Sequence, residues 1–300
     1  MKILISGASG LVGKHLIPTL KAKGHEVHRL VRKTPNSSDE IQWNAETGFS
    51  ESEHAKLENF DAVVHLAGDN VASENWSDEK KRKIRESRTV GTCVLVDALG
   101  KCVNPPKHFI SASAIGFYGN RGGDILNEES AKGEGFLPDV CAAWEDEIKR
   151  AEALPARVVY LRIGVVLAKD GGALEKMLTP FKFGVGGTIG SGKQYMSWIA
   201  LDDLIKMIHF ALENQELRGA VNAVAPNAVS NEEFTNTLGT VLGRPTVLPM
   251  PEFAVKLLFG EMGKTLLLEG ARVYPQKLLD AKFDFEFPNL EAAMKHVLES

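Results

Sequence analysis

Apolar runs alternate with amphipathic stretches through the first half of this chain. The apolar runs predict strands at residues 2–6, 26–31, 61–67, 107–112 and 158–163. Apolar residues at helical spacing predict helices at residues 11–23, 77–100 and 139–153. Strands that alternate with helices in this way predict a parallel sheet with helices on both faces.

The pattern changes after about residue 166. Residues 170–195 are rich in glycine and apolar side chains, residues 225–300 are dense in Pro, Phe and Leu, and residues 221–225 predict a late strand. We therefore predict an α/β fold with a Rossmann-type, doubly wound and mostly parallel sheet of seven strands, plus a smaller C-terminal substrate lobe. The predicted domains are 1–165, completed by about 200–225, and a lobe of 166–199 and 226–300.

Glycines follow the first strand at positions 7, 10 and 13, and the first helix starts at about Leu11. In a strand–turn–helix unit, Gly7 allows a sharp turn and Gly10 allows backbone N–H groups to approach a pyrophosphate. Gly13 allows the helix to pack close to the strand. The spacing thus predicts a dinucleotide-binding turn, and an ordinary glycine-rich turn is the alternative.

The end of the second strand indicates which dinucleotide is preferred. An acidic residue there would bind the ribose hydroxyls of NAD, but this strand ends without one and continues into Arg32 and Lys33. A charge-assisted contact with a 2′-phosphate contributes about 1.5–3 kcal/mol. We therefore predict NADP(H) as the cofactor, with a solvated basic loop as the alternative.

Composition limits the remaining classes of function. The 300 residues carry a net charge of −4, which argues against a nucleic-acid partner, and they contain no apolar stretch of membrane-spanning length. The first strand begins at once, so we expect no signal peptide. Cys93, Cys102 and Cys141 are odd in number and lack C-x-x-C spacing, which favours a reduced, cytoplasmic protein without disulfides or a structural metal.

Several motifs resemble those of one enzyme superfamily. Residues 61–68 (DAVVHLAG), the Gly91-Thr92 pair and residues 109–113 (FISAS) are similar to the strand and helix signatures of extended short-chain dehydrogenases/reductases. More motifs resemble its atypical "epimerase family protein" subgroup, which has a C-terminal domain of unknown function. These motifs lie at residues 162–167, 171–174, 180–181, 186–187, 190–194, 197–199, 243–245, 260–261, 268–270, 273–275 and 283–288.

The resemblance implies a cofactor site at matching positions. It places Gly7, Gly10, Leu11, Val12 and Gly13 along the pyrophosphate and Arg32 at the adenosine phosphate. It also implies that Leu66, Ala67 and Gly68 pass under the adenosine and its ribose, that Arg88 faces the cofactor, and that Val166 packs near the nicotinamide.

The catalytic pattern of the superfamily is missing. Hydride-transfer members use Tyr-x-x-x-Lys on one helix, and none of the four tyrosines here is followed by lysine at that spacing. Cys141 and Glu145 stand at the corresponding positions. Since Glu145 would raise the pKa of Cys141, we expect a small buried thiol and a surface or structural carboxylate. Ser113 and Tyr118 are the candidate catalytic residues; Ser113 alternatively bonds only backbone.

Two hypotheses of function follow. In the first, the chain is an NADP-dependent oxidoreductase or epimerase-like enzyme that acts on a small molecule with a non-standard catalytic set. In the second, it binds NADPH but catalyses little and acts as a regulatory or sensor protein. The sequence identifies neither the substrate nor the oligomeric state, for which a homodimer is one option.

Overall fold

The computed structural model describes residues 1–299. Its strands are β1 (Lys2–Ser6), β2 (Glu26–Val31), β3 (Glu40–Gln42), β4 (Ala62–His65), β5 (His108–Ala114), β6 (Ile125–Leu126), β7 (Arg157–Ile163), β8 (Val165–Leu167), β9 (Tyr195–Met196), β10 (Trp198–Ala200), β11 (Gly219–Ala223), β12 (Val229–Ser230) and β13 (Arg272–Val273). Its α-helices are α1 (Leu11–Ala22), α2 (Glu51–His54), α3 (Asp78–Leu99), α4 (Phe136–Lys149), α5 (Gly172–Lys182), α6 (Leu201–Glu213), α7 (Asn231–Leu242), α8 (Glu252–Gly263), α9 (Gln276–Asp280) and α10 (Leu290–Glu299).

Seven strands form one parallel sheet in the order β11-β7-β5-β4-β1-β2-β3. This confirms the predicted α/β, doubly wound architecture. Strand order reverses beside β1, because β2 and β3 continue on one side and β4, β5, β7 and β11 on the other. In open α/β sheets, ligands bind at such a switch point, outside the carboxyl ends of the strands.

Side chains of alternate residues in the strands face two different helical layers. Ile3 and Ile5 share a buried cluster with residues of α1 and α6, whereas Leu4 belongs to a cluster that includes residues of α3 and α4. Successive strand residues point to opposite faces, so most residues of a strand covered on both sides are apolar. This explains why the first strand contains no charged residue after Lys2.

The C-terminal lobe has a separate core. Residues of α5, α7 and α10 pack around Trp198 in a third buried cluster. Asp203 at the start of α6 accepts hydrogen bonds from the backbone N–H groups of Glu286 and Phe287, which ties the last segment to the sheet layer. The domain boundary at residue 165 stays a prediction.

Within residues 1–299, no helix combines the length and apolarity needed to span a membrane.

Candidate functional site

The turn between β1 and α1 has the geometry that its glycines predict. Gly7 adopts φ +72°, and the N–H of Gly10 donates to the carbonyl of Gly7 over 3.0 Å. A Cβ atom on Gly13 would lie 2.4 Å from that carbonyl oxygen, and one on Gly10 would lie 3.2 Å from it. No side chain caps the N-terminus of α1. Its backbone N–H groups and positive dipole end thus form a place suited to an anion.

A buried hydrogen-bond network fixes the segment beside this turn. The hydroxyl oxygen of Ser6 accepts from the N–H groups of Leu66 (3.1 Å) and Ala67 (3.2 Å). Its own proton is therefore donated to Nδ1 of His65, 2.6 Å away. His65 must then carry its ring proton on Nε2, which lies 3.1 Å from the Thr92 hydroxyl. Burial lowers the pKa of His65 to about 4, so the ring is neutral near pH 7.

The sequence reasoning did not identify this network. A serine and a histidine at the ends of two adjacent buried strands are the signal that points to it, because buried polar side chains need partners.

Arg32 and Lys33 follow β2, and both are exposed. Arg32 borders a cavity of about 200 Å³ next to the carboxyl end of β3, which Trp43, Asn44 and Ser50 also line. Two exposed cations therefore lie at the sheet edge that also carries the Gly7 turn. The arrangement offers positive charge to a ligand that extends from the turn across β2.

Arg88 on α3 lies against Gly68. Its guanidinium donates to the backbone carbonyls of Ile84 (2.9 Å) and Asp69 (3.0 Å), and a Cβ on Gly68 would lie 3.5 Å from its Cζ. The group also stacks over Trp144, with Cζ 5.1 Å from the ring centroid. Burial lowers the pKa of Arg88 from its ordinary value. These contacts hold the guanidinium beside the segment that follows β4.

The candidate catalytic serine bonds a carboxylate inside the protein. The hydroxyl of Ser113 at the end of β5 donates to Oε1 of Glu145 over 2.8 Å. Arg162 on β7 binds the same carboxylate with two hydrogen bonds, Nε to Oε1 (2.8 Å) and Nη2 to Oε2 (2.7 Å). All three side chains are buried. Glu145 is thus the structural carboxylate of a buried ion pair and does not lie on the surface.

Tyr118 belongs to the same cluster. Its hydroxyl accepts a hydrogen bond from Nη1 of Arg162 (2.9 Å), and it lies 2.7 Å from Oδ1 of Asn222 and 2.9 Å from the carbonyl of Asn127. One hydroxyl proton can serve only one of these two acceptors at a time. Burial raises the pKa of Tyr118. The structure brings Ser113 and Tyr118 together through Arg162, but this placement argues against Tyr118 as a proton donor to substrate.

Cys141 is buried beside this cluster. Burial raises the pKa of its thiol to about 12; the positive charge of Arg88 opposes this shift, and the negative charge of Glu145 adds to it. The direction agrees with the sequence argument, and the thiol is neutral near pH 7. Val166 lies farther along the chain in β8, partly buried against the core of the sheet.

Arg162 is the buried partner of Glu145, and the sequence alone identified it only as part of a motif. Arg162 lies in the buried strand β7, and a buried arginine requires a partner for its charge, so that requirement could have drawn attention to Glu145. Among residues 1–299, no group of three or more His, Cys, Asp or Glu side chains is placed to hold a metal ion.

Two family models match the chain. Residues 3–140 match the NAD dependent epimerase/dehydratase family, and residues 250–297 match a domain of unknown function, DUF1731. A protein of Mycobacterium tuberculosis named epimerase family protein is 40% identical over 292 residues, covering 97% of this chain and 96% of its own. The human epimerase family protein SDR39U1 is 36% identical over 304 residues, covering 99% of this chain and 100% of its own.

Solved structures agree with these matches. The crystal structure of human epimerase family protein SDR39U1 (isoform 2) with NADPH has a TM-score of 0.90 at 34% identity and covers all of both chains. A nucleoside-diphosphate sugar epimerase of Corynebacterium glutamicum has a TM-score of 0.82 at 34% identity, covering 99% of this chain and 58% of its own. The UDP-glucose 4-epimerase of Thermotoga maritima shares the fold at 17% identity and a TM-score of 0.78, covering 100% of this chain and 98% of its own.

Proposed function

The chain belongs to the NAD-dependent epimerase/dehydratase family, and on this premise we propose that it binds NADP(H) at the carboxyl edge of the sheet. The observation that carries the proposal is the N-terminus of α1, which has no side-chain cap and follows a turn in which Cβ atoms on Gly7 and Gly13 would overlap backbone atoms. The NADPH in the structure of the human relative supports it.

Different residues of the chain would bind different parts of the cofactor. The N–H groups of residues 11–13, in the first turn of α1, would hold the pyrophosphate. Leu66, Ala67 and Gly68 would lie under the adenosine and its ribose, with the backbone of the first two fixed by Ser6. Arg88, held beside Gly68 by two backbone carbonyls, would present its remaining N–H donors to the cofactor.

A preference for NADP(H) over NAD(H) would come from Arg32 and Lys33. Both cations follow the strand whose end reads the adenosine ribose in this fold, and the chain has no acidic residue at that end to bind the ribose hydroxyls. Both side chains are exposed, and Arg32 also borders the cavity beside β3, so they are available to a 2′-phosphate.

We further propose an oxidoreductase reaction on a small molecule, bound between Ser113 and the 180–200 segment of the smaller lobe. When bound, the nicotinamide supplies or accepts a hydride. Because Ser113 donates its proton to Glu145, only the lone pairs of its hydroxyl oxygen are left for a substrate. Ser113 would therefore accept a hydrogen bond from a substrate hydroxyl. The two bonds from Arg162 stabilise the Glu145 carboxylate, so Ser113 keeps its proton.

A second function, a regulatory or sensor protein that binds NADPH without turnover, is favoured by a specific observation. The groups near Ser113 that could transfer a proton are engaged or poorly matched to neutral pH. Glu145 is ion-paired, burial raises the pKa of Tyr118, and burial raises the pKa of Cys141 to about 12. General acid–base catalysis works best when the pKa of the group lies near the working pH.

Turnover distinguishes the two functions. NADPH oxidation and NADP⁺ reduction would be followed over a panel of carbonyl compounds, alcohols and nucleotide sugars, with the wild-type chain and Ser113→Ala. Turnover that the substitution lowers at least tenfold, with NADPH affinity unchanged, supports the oxidoreductase. NADPH binding without turnover on any substrate class supports the regulatory protein. A chain that binds neither nucleotide contradicts both.

A cytoplasmic location stays a proposal, supported by three free thiols.

A further inference from the structure

The start of helix α5 packs against the turn that follows β1. A Cβ atom on Gly171 would lie 2.9 Å from Cδ1 of Leu11, and one on Gly172 would lie 3.3 Å from its Cδ2. Farther along α1, Nε2 of His15 lies 3.1 Å from Oδ2 of Asp170. The two glycines therefore let the C-terminal lobe come close to the first residue of α1, where the proposed pyrophosphate site lies.

One helical turn later, α5 contacts the segment that follows β4. Nζ of Lys176 donates to the backbone carbonyl of Ala72 over 2.5 Å. Residues four positions apart share one face of a helix, so Gly172 and Lys176 lie on the same face of α5. That face contacts Leu11 at one end and Ala72 at the other. Helix α5 therefore crosses the groove between the turn after β1 and the segment after β4.

The segment that Lys176 reaches is fixed from its other side. Lys80 on α3 is buried, and its Nζ donates to Oδ2 of Asp69 (2.5 Å) and to Oγ of Ser73 (2.7 Å). A buried charge that lost its partner would be costly, so these bonds hold the segment against α3. Lys176, by contrast, is exposed. The wall of the groove after β4 is therefore held in place without the contact from α5.

Helix α8 ties the C-terminal lobe to the same region. Nδ2 of Asn75 donates to the backbone carbonyl of Leu258 over 3.1 Å, and Lys81 forms an ion pair with Glu261. Two helices of this lobe thus contact residues that follow β4, and α5 is the one that also contacts the turn after β1.

We propose that Lys176 binds the pyrophosphate of NADP(H) and that α5 covers the bound cofactor there. This inference rests on the proposed cofactor site, since a pyrophosphate at the N-terminus of α1 would lie in the groove that α5 crosses. An ammonium group has three N–H donors, and the carbonyl of Ala72 takes one of those of Lys176. The others would form charge-assisted bonds with phosphate oxygens, which are about twice as strong as neutral hydrogen bonds.

The rate of NADPH release, measured by stopped-flow displacement, tests the role of Lys176. Lys176→Met should release NADPH about ten- to a hundredfold faster than the wild type, the loss of one charge-assisted contact. The matched control is Lys182→Met, which removes the same charge from an exposed position in the last turn of α5 and should release NADPH as the wild type does. Equal release from the two variants, with NADPH still bound by the wild type, overturns this inference alone. A wild type that does not bind NADPH overturns the proposed cofactor site together with it.

Adenosine 2′-phosphate, which lacks the pyrophosphate, separates a direct contact from a general effect of charge. Lys176→Met should bind this fragment as the wild type does, whereas Arg32→Ala should bind it more weakly. If Lys176→Met loses as much affinity for the fragment as for NADPH, Lys176 does not act at the pyrophosphate and the proposal is wrong.

Hydrogen–deuterium exchange tests whether α5 covers the cofactor. In the wild type, NADPH should slow the exchange of backbone amides in residues 172–177 as well as in residues 10–14. In Lys176→Met it should slow exchange in residues 10–14 alone. Slowing confined to residues 10–14 in both proteins would overturn the covering role of α5, because a helix that only joins the two lobes is held equally well with and without the nucleotide.

Discussion

The carboxyl edge of the sheet has two halves, one at the end of β1 and one at the ends of β5 and β7, and their polar groups have opposite environments. Around the turn after β1, backbone N–H groups and the exposed Arg32 and Lys33 are directed to the outside, where a ligand can reach them. Around the ends of β5 and β7, Ser113, Glu145 and Arg162 bond one another and are buried. The same fold therefore leaves polar groups open to a ligand in one half, whereas the polar side chains of the other half bond one another.

This difference predicts that one half of the edge affects ligand binding and that the other half affects the stability of the fold. An exposed polar group that binds a ligand contributes little to the free energy of unfolding, because water forms hydrogen bonds with it when the ligand is absent. A buried ion pair is the reverse case, since removing one partner leaves an uncompensated charge in the interior. Substitutions in the two halves should therefore have different consequences, and the following predictions test that separation.

The largest effect is expected in the buried cluster. Arg162→Met leaves the Glu145 carboxylate without its two charged donors, and we expect the free energy of unfolding to fall by about 3–5 kcal/mol. Lys83→Met is the control, because Lys83 pairs with Glu79 on the exposed face of α3 and such pairs contribute little. Urea denaturation of both variants gives the comparison. Equal losses in the two would show that the cluster has no special structural role.

His65 should make stability depend on pH. Its ring is neutral in the folded chain down to pH about 4, whereas an unfolded histidine binds a proton below about 6.5. Between these values the unfolded state holds more protons, so the free energy of unfolding falls as pH falls, by about 3 kcal/mol over the window. Denaturation of the wild type and His65→Gln at a series of pH values measures it. The difference between the two should shrink as the pH falls, and a constant difference would contradict a neutral His65.

A smaller effect is expected in the turn. The added methyl of Gly13→Ala would lie 2.4 Å from the carbonyl oxygen of Gly7, and relieving such overlap costs about 1–3 kcal/mol. The same displacement should weaken NADPH binding. Gly100→Ala is the control: its φ is −66°, and its new Cβ would lie 3.5 Å from its nearest neighbour. Thermal unfolding and NADPH titration check both variants, and a turn that tolerates alanine as well as residue 100 does would refute the close packing.

The sequence predicted the sheet well, because the apolar pattern of each strand lies within a few consecutive residues. The five strands predicted before residue 166 each match a strand of the sheet. Four of them, β1, β4, β5 and β7, are almost wholly buried, so mostly apolar runs mark them in the sequence. β3 has only three residues, of which Ile41 alone is apolar, so its pattern was too short to recognise. The late strand was predicted at 221–225 and lies at Gly219–Ala223, because small residues continue past its true end.

The candidate site was less predictable because its contacts are distant in sequence. Ser113 meets Glu145 across 32 residues, and Ser6 meets His65 across 59. Residue type indicates that such groups need partners, but the choice of partner depends on how strands and helices are placed next to each other. The turn after β1 could be predicted from the sequence, because Gly7, Gly10 and Gly13 act within a single strand–turn–helix unit.

The dissociation constant of NADPH, measured by calorimetry for the wild type, Arg32→Ala and Ser113→Ala, tests the separation of the two halves most directly. The account predicts that Arg32→Ala weakens NADPH binding by about ten- to a hundredfold, the loss of a charge-assisted contact of about 1.5–3 kcal/mol, with NADH binding unchanged. Ser113→Ala should bind NADPH as the wild type does. An unchanged NADPH affinity in Arg32→Ala, or a large loss in Ser113→Ala, would contradict the account.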